Sequence, residues 1–184
     1  MGLFIYEGEG IMATMIITRE GYNKLKEEFN YLWTKLRPEI TEKVSWAASL
    51  GDRSENADYQ YNKRYLRQID NRIHHLAMVF DKSKVVDYNP QQDGTIYFGA
   101  FVEIENDEGV IKTLRIVGSE EIYGRTDYIS IDSPLARALL HHQVDDEVKV
   151  HAPQGVLTWY VNRISYKKED WYREEITSNE ITRL

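Results

Sequence analysis

Three carboxylates, Asp52, Glu55 and Asp58, fall within seven residues of one another in the stretch LGDRSENADYQYN. Ionised at neutral pH, Asp52 and Glu55 are hard oxygen donors of the kind magnesium prefers. Two carboxylates without an enclosing cage hold that ion weakly, because it gives up water reluctantly. They could instead complete the coordination of an ion already held by another protein's carboxylates. Two-metal phosphoryl transfer suits such help, since the second ion activates the attacking water. The same spacing fits a structural role. Asp52 followed three residues later by Glu55 has the form of a capping box, in which one carboxylate accepts from backbone N–H groups and the other reaches back. Spacing alone leaves both readings open, and Ser54 could share the cap.

Other chemistries are excluded more easily. The chain has no cysteine, hence no disulfide, thiolate zinc site or thiol nucleophile. It contains no GxxxxGK[ST] loop, no GxGxxG after a strand, no HExxH and no GxSxG. The histidine pairs His74-His75 and His141-His142 are sequence neighbours. On helices their side chains would diverge, so neither pair makes an i, i+4 metal face and a surface position is the expectation. A net charge of −7 argues against general nucleic-acid binding. Within KRYLRQIDNR, however, Lys63, Arg64, Arg67 and Arg72 stand against the single acid Asp70. That strip is either a solvated helix face or a defined encounter with phosphate.

These residues need elements to hold them. Tyr22, Leu25, Phe29, Leu32, Leu36, Ile40 and Val44 recur at steps of three and four, the stripe of an amphipathic helix. Thr18 is an N-cap candidate with Glu20 in the first turn. Pro38 removes a backbone donor, so a bend near Leu36 is expected, not an end. Trp46, Ala47 and Ala48 continue the pattern to its tip. After Gly51 a second stripe runs Ala57, Tyr61, Tyr65, Ile69, Ile73, Leu76 and Phe80. Two helices of about 25 to 30 residues joined around Gly51 must lie antiparallel, and each needs the other to bury its stripe. At 1.5 Å per residue such a hairpin would project roughly 40 Å.

The texture changes after Ser83. KVVDY, TIYFGAFVEIEND, IKTLRIVG, YISID, EVKVHAP and GVLTWYVNRISY are β-rich runs divided by Gly, Asn and Asp. SPLARALLHH reads as a short helix with Ser133 as N-cap and Pro134 at its first position. The expected organisation is an N-terminal extension over 1–14, a helical hairpin over 15–86, a small antiparallel sheet with one packed helix over 87–166, and a charged tail over 167–184. The hydrophobic share of 42% is that of a soluble globular protein, and no apolar run approaches the roughly 20 residues that span a bilayer. The first residues, MGLFIYEGEGIMAT, do not read as a signal peptide. A cytoplasmic location, no membrane and a monomeric state are expected.

The segments TREGYNKLKEEFNYL, RPEITEKV, WAASLGDRSENADYQYNKR, VDYNPQQDG, YFGAFVEIENDEG, RIVGSEEI and YISIDSPLARALL resemble those of the bacterial transcript-cleavage factors of the Gre family. The likeness runs from about Met15 to Tyr166, and the GDxxENAxY tip is its most specific part. It implies an α+β chain, an antiparallel coiled-coil hairpin followed by an FKBP-like domain. It also implies a partner, RNA polymerase, whose secondary channel the hairpin enters. Such a factor is not itself an enzyme. It activates the polymerase's own hydrolysis of the 3′ RNA in backtracked complexes. By that resemblance Asp52 and Glu55 would assist a magnesium ion shared with the polymerase active site, with no cofactor of the chain's own. Ser54, Asn56, Asp58 and Tyr59 would support the tip, Lys63, Arg64, Arg67 and Arg72 would meet the RNA 3′ end, and Asp132 and Pro134 would contact the polymerase. A rival expectation is a channel-binding regulator that blocks without stimulating cleavage. An FKBP-like fold does not make a prolyl isomerase.

Overall fold

The computed structural model describes residues 15–51, 56–152 and 155–168. The expected extension at 1–14 and the tail from 169 onward therefore lie outside the described residues. The chain divides into two compact units, one running from Glu20 to Lys84 and the other comprising Ile16–Arg19 and everything from Val85. No helix among the described residues is long and apolar enough to cross a membrane.

The first unit is helical. Helix α1 spans Arg19–Tyr31, a π-helical turn covers Leu32–Leu36, α2 spans Arg37–Ser49 and α3 spans Ala57–Lys82. The contacts Glu28–Arg72, Arg37–Asp70 and Ala47–Asn56 climb one arm as they descend the other, so the arms are antiparallel. Between them Leu25, Leu32, Ile40 and Ala47 are buried against Tyr59, Ile69, Ile73, Leu76 and Val79. Each fully buried aliphatic side chain there contributes about 1.5–3 kcal/mol.

The π turn has a sequence cause. Leu25 to Leu32 and Ile40 to Ala47 are steps of seven, whereas Leu32 to Ile40 is a step of eight. A π turn absorbs one extra residue, so the seam stays in phase on both sides. Pro38 lies just beyond it, where the missing N–H can be accommodated, and the Arg37 N–H reaches back five residues to the Leu32 carbonyl. The helical path thus continues through the proline region, as expected, by way of a π turn.

The second stripe differs from expectation near the tip. Ala57 and Tyr61 are exposed, Tyr61 at 67%, and Tyr65 is half-buried. The seam instead follows Tyr59, Asn62, Leu66, Ile69, Ile73, Leu76 and Phe80, alternating steps of three and four. Trp46, expected on the stripe, is 59% exposed, while Ala47 beside it is fully buried. At the other end Phe80 packs edge-on against Tyr22 and Phe29, with ring centroids 5.3 and 5.7 Å away.

The second unit is built on a sheet. Strand β1 (Met15–Thr18) pairs with β2 (Ser83–Val86) in a two-stranded ribbon, so KVVDY does not join the main sheet. That sheet has the order β5-β4-β3-β7-β6, from β3 (Phe101–Asn106), β4 (Ile111–Val117), β5 (Tyr128–Ser130), β6 (Glu147–Ala152) and β7 (Gly155–Ser165). It is mixed, not purely antiparallel. β4 and β5 run parallel from Arg115 opposite Tyr128 to Val117 opposite Ser130. The connection between Val117 and Tyr128 carries a 3-10 turn at Ser119–Glu121 and returns the chain to the same end, as parallel pairing demands. One face, with Val102, Ile104, Leu114, Ile116, Val148, Trp159 and Val161, buries Ala136 and Leu139 of helix α4 (Pro134–Leu139).

Thr18 stands one residue before α1, as the last residue of β1. Its backbone N–H and its hydroxyl both donate to the Glu121 carboxylate, which also accepts from the Gly118 N–H at 2.9 Å. Gly118 must be glycine because a Cβ there would sit 2.2 Å from the Ile16 carbonyl oxygen. Helix α4 ends sooner than SPLARALLHH suggests. His141 takes a left-handed φ of 71°, and its N–H donates to the Ile96 carbonyl at 2.8 Å. The pair His141-His142 is therefore not on a helix; it is engaged in pinning the segment that begins at Thr95.

Candidate functional site

The end of the hairpin is assembled from small, local causes. Helix α2 finishes at Ser49, and Leu50 donates its N–H to the Ala47 carbonyl. Gly51 follows with φ of 119°, a conformation that a side chain would strain. Helix α3 begins at Ala57, and its N-cap is Asn56. The Asn56 side-chain oxygen accepts from the Tyr59 N–H at 3.0 Å, while its amide nitrogen donates to the Ala47 carbonyl at 2.8 Å. One side chain thus caps α3 and ties it to the last turn of α2.

Asp52, Ser54 and Glu55 lie outside the described residues. What the structure does assign is the cap of α3, and it goes to Asn56. Asp58 is exposed in the first turn of α3, where a negative charge favours the helix dipole, and its carbonyl accepts from the Asn62 side chain at 2.9 Å. Tyr59 is buried under the tip, with the Lys63 ammonium 5.3 Å from its ring centroid.

The basic residues separate into three environments. Lys63 leans over Tyr59. Arg64 and Arg67, three apart on α3, are exposed neighbours and make no ion pair with another described residue. Arg72 forms a fork with Glu28, at 2.7 and 2.9 Å, across to α1. Its guanidinium is held as a clamp between the arms, a role the charge pattern did not signal. In the second unit Pro134 is exposed at the start of α4, which Ser133 caps by accepting from the Ala136 N–H at 3.2 Å. Asp132 is exposed beside it, 3.6 Å from Arg137. Sequence reasoning named Asn56 only as support and missed its cap. The signal was present, since Asn directly precedes the in-phase run that starts at Tyr59.

Among the described residues no group of three or more acidic or histidine side chains could hold a metal ion. Asp52 and Glu55, as two hard oxygen donors, suit an ion whose remaining ligands come from elsewhere.

Comparison with known proteins covers both units. Residues 15–85 match the family model described as transcription elongation factor, N-terminal. Residues 91–166 match the model described as transcription elongation factor, GreA/GreB, C-term. The transcription elongation factor GreB of Vibrio cholerae is 64% identical over 158 residues, covering 85% of this chain and 98% of that one. GreB of Pseudomonas putida is 62% identical over 155 residues, covering 84% and 96%. GreB of Haemophilus influenzae is 52% identical over 152 residues, covering 83% and 96%.

Proposed function

The chain belongs to the GreA/GreB family of transcription elongation factors, and on that premise we propose how its residues divide the work. It is an activator of RNA polymerase, in the cytoplasm, that stimulates the polymerase's own hydrolysis of backtracked RNA. The hairpin enters the secondary channel tip first. Asp52 and Glu55 are then the delivered carboxylates, contributing oxygen ligands and accepting the proton of a water held beside them. A magnesium ion shared with the polymerase active site would supply Lewis-acid activation of that water when bound. Asn56 sets the spacing of the two arms that carry them, and Tyr59 and Asp58 support the first turn of α3. Arg64 and Arg67, with Lys63, meet the phosphates of the extruded RNA 3′ end. Arg72 serves its fork with Glu28. Asp132 and Pro134 form part of the surface that docks on the polymerase.

The observation that carries this reading is the pair of hydrogen bonds made by the Asn56 side chain, to Tyr59 and to Ala47. They join the start of α3 to the last turn of α2, the two helix ends between which the sequence places the acid pair. Stalled, backtracked polymerase complexes incubated with the protein and magnesium should release short 3′ RNA fragments. Asp52→Ala or Glu55→Ala should cut the cleavage rate by about 100-fold or more, the scale of a lost catalytic ligand or base, with polymerase binding retained. Fragment release undiminished by both substitutions would overturn the assignment. Inhibition of nucleotide addition without fragment release would favour the blocking regulator instead.

A further inference from the structure

Two tyrosines that the hydrophobic pattern places in the helical seam do not lie there. Tyr61 is 67% exposed and Tyr65 half-buried on the flank of α3. Their ring centroids are 6.4 Å apart with planes inclined at 35°. Exposing two large rings side by side forgoes the burial that one helical step would have given them.

The charges around the pair indicate an occupant. Glu39 first, and after it the phenols of Tyr65 and Tyr61, raise the pKa of Lys43 on α2; its ion pair with Glu39, at 2.6 Å, is exposed and weakly held. On α3 itself Arg64 is three residues from Tyr61, so the two share a face, whereas Arg67, two residues beyond Tyr65, lies on another face. Asp58, one turn nearer the tip, repels phosphate from that end. On a chain of net charge −7, an exposed aromatic pair with Arg64 on its own face and Lys43 on the opposing arm is a local exception. Aromatic faces flanked by cations are how proteins hold single-stranded nucleic acid without reading its sequence, the rings stacking on bases and the cations tracking the backbone.

We propose that Tyr61 and Tyr65 are a stacking platform for the unpaired bases of the extruded RNA, with Lys43 and Arg64 holding its phosphates. This rests on the reading that the hairpin meets backtracked RNA, and it assigns the two tyrosines as positioning residues. Every base presents a π face, so the platform accepts any 3′ sequence and favours purines, which stack more strongly.

The test uses backtracked polymerase complexes carrying 4-thiouridine near the RNA 3′ end, with the full chain as wild type, the double variant Tyr61→Ala/Tyr65→Ala, and Tyr61→Phe/Tyr65→Phe. The wild type should crosslink to the RNA through α3. The alanine variant should lose the crosslink and need about 5- to 50-fold more protein for half-maximal cleavage, the range set by the loss of one to two stacking contacts. Its maximal rate at saturation should be unchanged, and the phenylalanine variant should match the wild type. The phenylalanine variant should melt as the wild type does, and the alanine variant is compared with both at a temperature well below its own melting point, since it gives up the half-buried part of Tyr65. An alanine variant equal to wild type in crosslinking and cleavage, while Asp52→Ala abolishes cleavage, overturns the platform and leaves the function standing. Crosslinking by a wild type that stimulates no cleavage overturns the function and supports the platform. Weakened binding of the alanine variant to core polymerase without RNA assigns the pair to a protein contact and overturns the proposal.

Discussion

Asn56 shows how much one side chain can set. Its oxygen satisfies an orphan N–H at the start of α3 and its nitrogen satisfies a carbonyl at the end of α2. Asn56→Ala removes both bonds and should lower unfolding stability by about 1–2 kcal/mol in chemical denaturation. Asn56→Asp keeps the acceptor and should lose less. Tyr166 plays a comparable part in the second unit. Its phenol donates to the Thr95 carbonyl at 2.6 Å and accepts from the Tyr97 N–H at 2.9 Å. Burial pushes its pKa up from the ordinary 10 to about 12. The fold therefore favours the neutral phenol. Its contribution is complete below pH 10 and is lost as pH rises through about 12. Tyr166→Phe should cost about 1–3 kcal/mol at neutral pH, because a donor and an acceptor are left unsatisfied. It should also flatten the fall in stability between pH 10 and 12, measured by denaturant midpoints across that window.

At the scale of elements, the π turn reconciles two in-phase stretches of seam that the sequence sets eight residues apart. Deleting Lys35 makes Leu32 to Ile40 a step of seven, so a continuous α-helix can replace the π turn. That deletion should leave the melting temperature within a few degrees of wild type. Deleting Glu42 instead puts Ala47 out of phase and breaks its bond to Asn56, and should cost about 2 kcal/mol or more. The same phase logic explains which tyrosines are buried. Tyr59 is in step with Ile69, Ile73 and Leu76 at alternating threes and fours. Tyr61 and Tyr65 reach Ile69 and Ile73 by unbroken steps of four, a row that drifts about 40° per step off the seam toward the tip. The ion pairs across the arms, Glu28–Arg72 and Arg37–Asp70, are each about 40% exposed. Pairs so placed contribute about 0–1 kcal/mol, so they fix orientation more than they stabilise.

For the whole molecule, the proposed division of labour separates two kinetic signatures. Asp132 is 73% exposed and its pairing with Arg137 is loose, so Asp132→Arg should leave the fold intact. It should raise the protein concentration for half-maximal cleavage by about 10-fold without lowering the maximal rate, as loss of a docking contact does. Asp52→Ala should do the reverse. Titrating both variants against one preparation of backtracked complexes distinguishes docking from chemistry. The sequence by itself determined a great deal here: an acidic tip between two apolar repeats, a helical hairpin, a following α+β unit, and the family. Those properties are legible because helical period, turn residues and motif spacing are local. Tertiary structure decided what depends on a partner element. It chose Tyr59 over Tyr61 for the seam, since neighbouring positions on α3 differ only in which the opposing arm covers. It gave the α3 cap to Asn56, whose second bond reaches nine residues back to Ala47. It engaged Arg72 with Glu28, and it set β5 parallel to β4, because strand direction is fixed by the connection's path and not by the strand's own residues.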